Sequence, residues 1–404
     1  MQIVKLTVVR SPPYLISMPS KAFIRPAEAT DYAAIQNLLQ RAVWPVRSEA
    51  GWRWAFKQSP SRQWLDQQLP SPSQIGWVIE DKGEIAGYLG NLPQRFWANN
   101  RWVSTATCTS YFVQDQVRSL STNLMRAFFL QAGIEAAFST TANDYSAAVY
   151  DLFKAQEMPD SGFRQTNLWM GNDRELFLHL LRKRGIPGAP ICASLFGTVS
   201  RGFRQLTGWA TPPKTIFDGE ISLTSLEQID ETYDHFWDTI RAQPGAWLDR
   251  SAAAIRWQLS DPDNQGNLFL FSAKSQGKLL GYAIMLGYTR KANLMPRAYV
   301  LDFVVPNQAD PAISAALLQA LVKHAQSLKL VAIEAQCFSA ENPLVRNRFG
   351  THRRPILTGR HFIKFLNKAL PEELGPNAVW PMGGLDGDFW FGLTGFNLPP
   401  AEQA

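Results

Sequence analysis

The feature that most constrains this chain is that it repeats itself. Arg47-Ser48, Arg53-Trp54 and Pro60 recur in the same order as Arg250-Ser251, Arg256-Trp257 and Pro262. In KGEIAGYL, Gly83 and the pair Gly87-Tyr88 return in QGKLLGYA as Gly277 and Gly281-Tyr282. A strand ending at Val113 and another ending at Val305 each run through a loop into an apolar helix, STNLMRAFFLQ or ISAALLQALVKHA. The spacing between matched landmarks drifts only slightly, so the halves are collinear apart from small insertions. Self-similarity of this kind places domain boundaries better than composition does.

Each half reads as strand, helix, a Trp-rich segment, a glycine-turn hairpin, a strand-loop-helix unit, another strand and a last helix. That order predicts an α/β fold with a mixed sheet, in two tandem domains. The domains span residues 21–171 and 219–368. Residues 1–20 form a poorly patterned extension in which Lys5, Arg10 and a Pro pair interrupt any signal-peptide core, with Met1 and Met18 both candidate starts. Residues 172–218 form a connector, where RGIPGAP and ATPPK flank ICASLFGTVSRGFRQL. That stretch reads as an amphipathic helix docked on a domain rather than lying on a membrane, since it carries few basic residues. Residues 369–404 form a tail whose VWPMGGLDGDFWFG is turn-rich and aromatic, and is expected to pack back on a domain.

Composition narrows the classes of function. With 46% hydrophobic and 18% charged residues the chain reads as globular. No apolar run approaches the roughly 20 residues of a membrane span. Three cysteines, at 108, 192 and 337, show neither a disulfide framework nor metal-ligand spacing, which places the chain in a reducing compartment, the cytoplasm, with no metal. A net charge of +6 lacks the Lys/Arg stripe of a nucleic-acid binder. The densest basic cluster, Arg346, Arg348, His352, Arg353, Arg354 and Arg360, is a solvated face or else an anion or RNA site.

The strand-loop-helix at 107–131, followed by strand AAFSTT and helix NDYSAAVYDLF, resembles the GNAT acyltransferase superfamily over most of both halves. In that superfamily the loop reads Arg/Gln-x-x-Gly-x-Gly, and its N–H groups wrap the pyrophosphate of coenzyme A at a helix N-terminus. The matching positions here are Arg118, Ser121 and Asn123, with both glycines absent. Glycine serves where backbone must approach a ligand or take positive φ. Ser119, Ser121 and Thr122 still offer hydroxyls and Arg118 a cation. The resemblance implies that Val113, Arg118, Ser119, Leu120, Ser121, Thr122, Asn123 and Asn143 bind acyl-coenzyme A, acetyl-coenzyme A foremost. The same small residues also suit a plain helix cap.

The family's last helix begins with Asn, carries a small residue three positions on and a Tyr seven on, matched by Asn143, Ser146 and Tyr150. The resemblance implies that Tyr150 protonates the departing thiolate, although a core aromatic would share its spacing. In the second half Asp310, Ile313 and Ala315 stand at the loop positions and Phe349 at the tyrosine position. An acid there repels pyrophosphate, so the second half reads as a pseudo-domain that completes the fold, shapes an acceptor groove or dimerises. A general base is harder to find. Strand TATCTSYFV carries no acid, whereas Asp302 in LDFVV is either catalytic or paired with an arginine. Cys108 reads as a buried thiol rather than a nucleophile. Trp44, Trp52, Trp54 and Trp64 either line an acceptor groove or serve the fold.

The resemblance therefore implies transfer of an acyl group to a small-molecule amine, an amino sugar foremost. The alternatives are a FemAB-type transferase fed by aminoacyl-tRNA, the one reading that brings in nucleic acid, and a non-catalytic binding or scaffold protein.

Overall fold

The computed structural model describes residues 22–158, 165–289, 295–337, 342–347, 349, 352–355, 360–375 and 378–393. The strands of the first half are β1 (Phe23–Pro26), β2 (Gly76–Asp81), β3 (Glu84–Ala98), β4 (Arg101–Val113), β5 (Ala136–Ala142), β6 (Gln156–Glu157) and β7 (Gln165–Met170). Those after the connector are β8 (Glu220–Thr224), β9 (Trp247–Leu248), β10 (Leu268–Ser275), β11 (Lys278–Thr289), β12 (Pro296–Val304), β13 (Ala332–Cys337), β14 (His352–Pro355) and β15 (Arg360–Phe365). Helices α1 (Tyr32–Arg41), α2 (Glu49–Lys57), α3 (Pro60–Asp66), α4 (Ser121–Phe129) and α5 (Asp144–Leu152) belong to the first half. The connector forms α6 (Asp173–Lys183) and α7 (Ala189–Thr207). Helices α8 (Glu231–Arg241), α9 (Ala252–Leu259), α10 (Pro311–Ser327) and α11 (Pro343–Arg346) follow, and the tail opens with α12 (Leu370–Leu374).

The repeated glycine landmarks are hairpin turns. Lys82-Gly83 and Gln276-Gly277 have positive φ at both residues, 55° and 82° in one, 49° and 76° in the other, the two-residue turn whose twist suits paired strands. Each hairpin continues into a mixed sheet. The first runs β1-β2-β3-β4-β5-β15-β6, with β9 also on β3, and the second runs β14-β7-β13-β12-β11-β10-β8. Among the described residues only β4–β5 and β12–β13 pair in parallel. The mixed α/β fold expected from the sequence is the fold observed. Sheet membership, however, departs from chain order: β7 lies between β13 and β14, and β15 lies between β5 and β6. Each half thus gives its last strand to the other's sheet, which boundaries at 171 and 368 do not convey.

The repeated Arg-Ser and Arg-Trp landmarks join the halves. Ser48 and Ser251 cap α2 and α9, accepting from the N–H groups of Gly51 and Ala254. Trp54 stacks on Trp257 with ring centroids 4.5 Å apart. Each indole donates to the other's backbone carbonyl, at 2.9 and 3.2 Å. One apolar core runs from Ile35 and Phe56 through Tyr233 and Ile284 to Trp390, so both halves and the tail bury the same surface. The tail does pack back: Trp380, Met382, Leu385, Trp390 and Phe391 are buried. In the connector, α7 docks on α6 through Ala189, Ala193 and Gly197 and a buried Arg204–Asp173 ion pair. A Cβ at Gly197 would sit 2.9 Å from the Arg174 backbone, which is why that position is small.

Candidate active site

Strands β4 and β5 pair at three positions, Thr105↔Ala136, Ala106↔Ala137 and Thr107↔Phe138, and the ladder stops there. Beyond it, Cys108–Val113 and Ser139–Asn143 form opposite walls of a cavity of about 600 Å³. A bulge helps to open it: Tyr88 faces Phe112 and Gly90 faces Thr109, so β4 carries one residue more than β3 over that stretch. Ser110, inside the bulge, has φ of +53°. A bulge turns backbone out of the ladder, and a serine in the left-handed region stores strain of the order of 1 kcal/mol, a cost found mostly at functional sites. The β5-facing edge of Cys108–Val113 is thereby left to pair with an extended ligand.

The sequence-derived positions distribute unevenly around this cavity. Val113, Arg118, Ser121, Asn143 and Tyr150 line it; Ser119, Leu120, Thr122 and Asn123 do not. The expected open phosphate loop is instead a tight turn. Residues Asp115–Leu120 form two short 3₁₀ turns, kinked at Val117, that run into α4, and the N–H of Ser121 donates to Arg118 O. Without glycine there is no cheap positive φ to open a loop, and the amides of Val117 and Ser121 donate within the turn, to Gln114 O and Arg118 O. Neither Ser119 nor Ser121 caps α4, whose N-cap is Leu120 with no side-chain bond. Arg118 is 71% exposed at the rim, beside Asp115. Asn143 caps α5, accepting from the N–H of Ser146 at 3.0 Å.

Tyr150 is 2% exposed and stacks on Phe362 of the exchanged strand β15. Tyr150 lines the cavity, and its hydroxyl is buried beside Ser139 and Cys108. Burial above all, then the neighbouring Cys108, pushes its pKa well above the ordinary value. Burial likewise raises the Cys108 thiol, which holds it protonated and unreactive. Of the four tryptophans, only Trp44 reaches the cavity, while Trp52 and Trp54 are core.

One residue that sequence reasoning missed joins Tyr150 in the cavity lining. Asp388, from the tail, lines the cavity and accepts from Thr140 N, Thr140 Oγ1 and Thr141 Oγ1 of β5. Desolvation by the surrounding protein raises its pKa, against the lowering effect of those threonine bonds. The signal was present: an acid between apolar and aromatic residues in GGLDGDFWFG needs a reason. Its partner acid, Asp386, anchors the tail on Arg250 at 2.6 Å.

The equivalent place in the second half is filled. β12 and β13 pair from Arg297↔Ala332 to Val300↔Ala335, and β12 also carries a bulge. There the tail enters: Leu385 N donates to Leu301 O at 2.9 Å, and Gly384 packs against the Leu301 backbone. About 20 Å³ remains, lined by Asp302–Val305 and Pro381–Gly383 among others. Asp302 is thus outside the 600 Å³ cavity. It pairs with Arg250 at 2.7 Å and accepts from Tyr282 Oη at 2.8 Å, so its carboxylate is committed to an ion-pair network rather than to a ligand. In the basic cluster, Arg346 donates to Asn307 and Arg360 pairs with Glu157 and Asp151. Arg348 lies outside the described residues.

A mixed sheet whose parallel central strands part over a cavity is the fold of the GNAT-type N-acyltransferases, and this chain has that fold. It is similar to a GCN5-related N-acetyltransferase from Kribbella flavida, with TM-score 0.53 and 11% identity over 86% of this chain and 72% of that one. It is also similar to one from Anabaena variabilis ATCC 29413, with TM-score 0.54, 12% identity and coverage of 86% and 73%. Saccharomyces cerevisiae N-myristoyltransferase, solved with bound myristoyl-CoA and inhibitors, matches with TM-score 0.52, 12% identity and coverage of 89% and 82%. At such identities the likeness is one of fold. No protein-family model and no curated protein matches the sequence.

Proposed function

We propose that the first half binds an acyl-coenzyme A between β4 and β5 and passes its acyl group directly to a primary amine. The observation that carries this reading is the asymmetry between halves: one parted strand pair borders a cavity of about 600 Å³ lined by Tyr150 and Asp388, while its counterpart is filled by the chain's own tail. The open edge of Cys108–Val113 pairs with the amide groups of pantetheine as an added strand would. Arg118 at the rim meets the pyrophosphate.

Chemistry then needs two proton-handling groups. The amine nitrogen attacks the thioester carbonyl, the C–N bond forms and the C–S bond breaks. Asp388 takes the proton lost by nitrogen, and its raised pKa makes it a stronger base than an ordinary aspartate. Sulfur departs as a thiolate that accepts a hydrogen bond from Tyr150. Because burial holds the phenol protonated, Tyr150 acts as a hydrogen-bond donor more than as a full acid. An amino sugar is the acceptor class we favour, on the resemblance alone. The aminoacyl-tRNA alternative draws no support from Arg346 and Arg360, whose guanidinium groups are engaged within the protein.

Acetyl-coenzyme A and a long-chain acyl-coenzyme A should raise the melting temperature of the full chain. Arg118→Ala should weaken that binding by about fivefold to tenfold, in keeping with one partly screened charge-assisted contact. No stabilisation by any acyl-coenzyme A would overturn the reading in favour of a non-catalytic protein.

A further inference from the structure

We infer that the connector helix α7 rests its outer face on an anionic lipid surface. The helix has two apolar faces. Ala189, Ala193 and Gly197 dock on α6, as described above. On the other side Ile191, Leu195, Phe196, Val199, Phe203 and Leu206 are between 51% and 90% exposed, a continuous stripe at three- and four-residue spacing. Ser194, Thr198, Arg201 and Gln205 form the polar strip beside it. Trp209, 42% exposed, follows at the helix end. So large a stripe left uncovered among the described residues marks an interaction surface rather than an ordinary exposed helix.

Charge identifies the partner. The helix itself carries only Arg201 and Arg204, too few for the sequence to point to a membrane, but its flanks add more: from Leu176 to Phe217 the chain carries Arg182, Lys183, Arg184, Arg201, Arg204 and Lys214 with no Asp or Glu. The net charge of the whole chain is +6, so this one segment accounts for all of it and the rest balances to zero. Arg204 is neutralised by Asp173, while Arg182, Lys183, Arg184, Arg201 and Lys214 are exposed around the stripe. A cleft of about 370 Å³, lined by Arg201, Gln205 and Thr211 among others, lies at the polar edge of the helix. It gives a phosphate headgroup a place to sit. Phe and Trp beside Leu and Ile, rimmed by cations, match what an interfacial helix buries at the boundary of headgroups and acyl chains. Among the described residues no helix is long and apolar enough to span a membrane, so α7 lies on the surface rather than crossing it.

Flotation of the full chain with lipid vesicles tests this. The protein should float with phosphatidylcholine vesicles containing about 30 mol% phosphatidylglycerol, far less with phosphatidylcholine alone, and less again as salt rises. The combined Leu195→Ser, Val199→Ser and Leu206→Ser variant should lose about tenfold or more in partitioning. These side chains are exposed, so its melting temperature should stay near wild type. Should it nevertheless fall, the charge-reversed variant Arg182→Glu, Lys183→Glu, Arg184→Glu decides, because it removes the electrostatic part from a separate turn. Failure of the wild-type chain to float with anionic vesicles, or unchanged partitioning of both variants, would overturn the inference. So would a dimer in sedimentation that the serine substitutions dissociate, since the stripe would then belong to a second copy.

Discussion

At the residue scale the tail and the first half meet in one carboxylate. Asp388 reaches the cavity because Asp386, two residues earlier, is held by Arg250, which also holds Asp302. Asp388→Asn should therefore cut turnover with acetyl-coenzyme A by about 10²-fold or more while leaving acetyl-coenzyme A binding intact. The sign of its pH dependence follows from its raised pKa. The deprotonated form is the base, so activity rises as pH increases through a value above the usual aspartate pKa of about 3.9, and Asp388→Asn lacks that limb. Tyr150 and Cys108, the titratable neighbours, keep their protons through this range because both are raised. Tyr150→Phe should lower kcat with KM nearly unchanged, read from steady-state release of free thiol. Arg250→Ala would strand two buried carboxylates, at a cost of about 3–5 kcal/mol, measurable by chemical denaturation. An acid in the tail was legible as unusual in sequence; its destination was not, because nothing local links residue 388 to residue 140.

At the scale of elements, the repeated landmarks turn out to be structural devices. Ser48 and Ser251 cap, Gly83 and Gly277 turn, and Trp54 and Trp257 close on each other. They recur because each half needs the same cap, turn and joint, which is why Trp54 and Trp257 serve the fold. Trp257→Ala removes a stacked ring and an indole donor from the joint, and thermal unfolding should show a loss of about 3–5 kcal/mol. The helix after β4 shows how far motif reading goes. Its position and the cation at residue 118 were legible; the replacement of an open loop by a 3₁₀ turn was not, since that depends on how six backbone amides share hydrogen bonds.

At the scale of the molecule, the exchange of β7 and β15 and the shared core tie the two halves together. The full chain should unfold in one cooperative transition, and residues 21–171 expressed alone should give none, because the first sheet then lacks β15 and Tyr150 loses Phe362. Calorimetry of the two chains distinguishes these outcomes. The sequence by itself determined the repeat, the α/β class and the hairpin turns, because each follows from local spacing and side-chain chemistry. Only the tertiary structure decided that the tail fills the second half's slot, that Asp388 enters the first half's cavity, that Asp302 is spent on Arg250, and that α7 keeps an apolar face uncovered. Those outcomes rest on contacts between residues hundreds of positions apart or on surfaces left over after packing, and neither leaves a periodic trace along the chain.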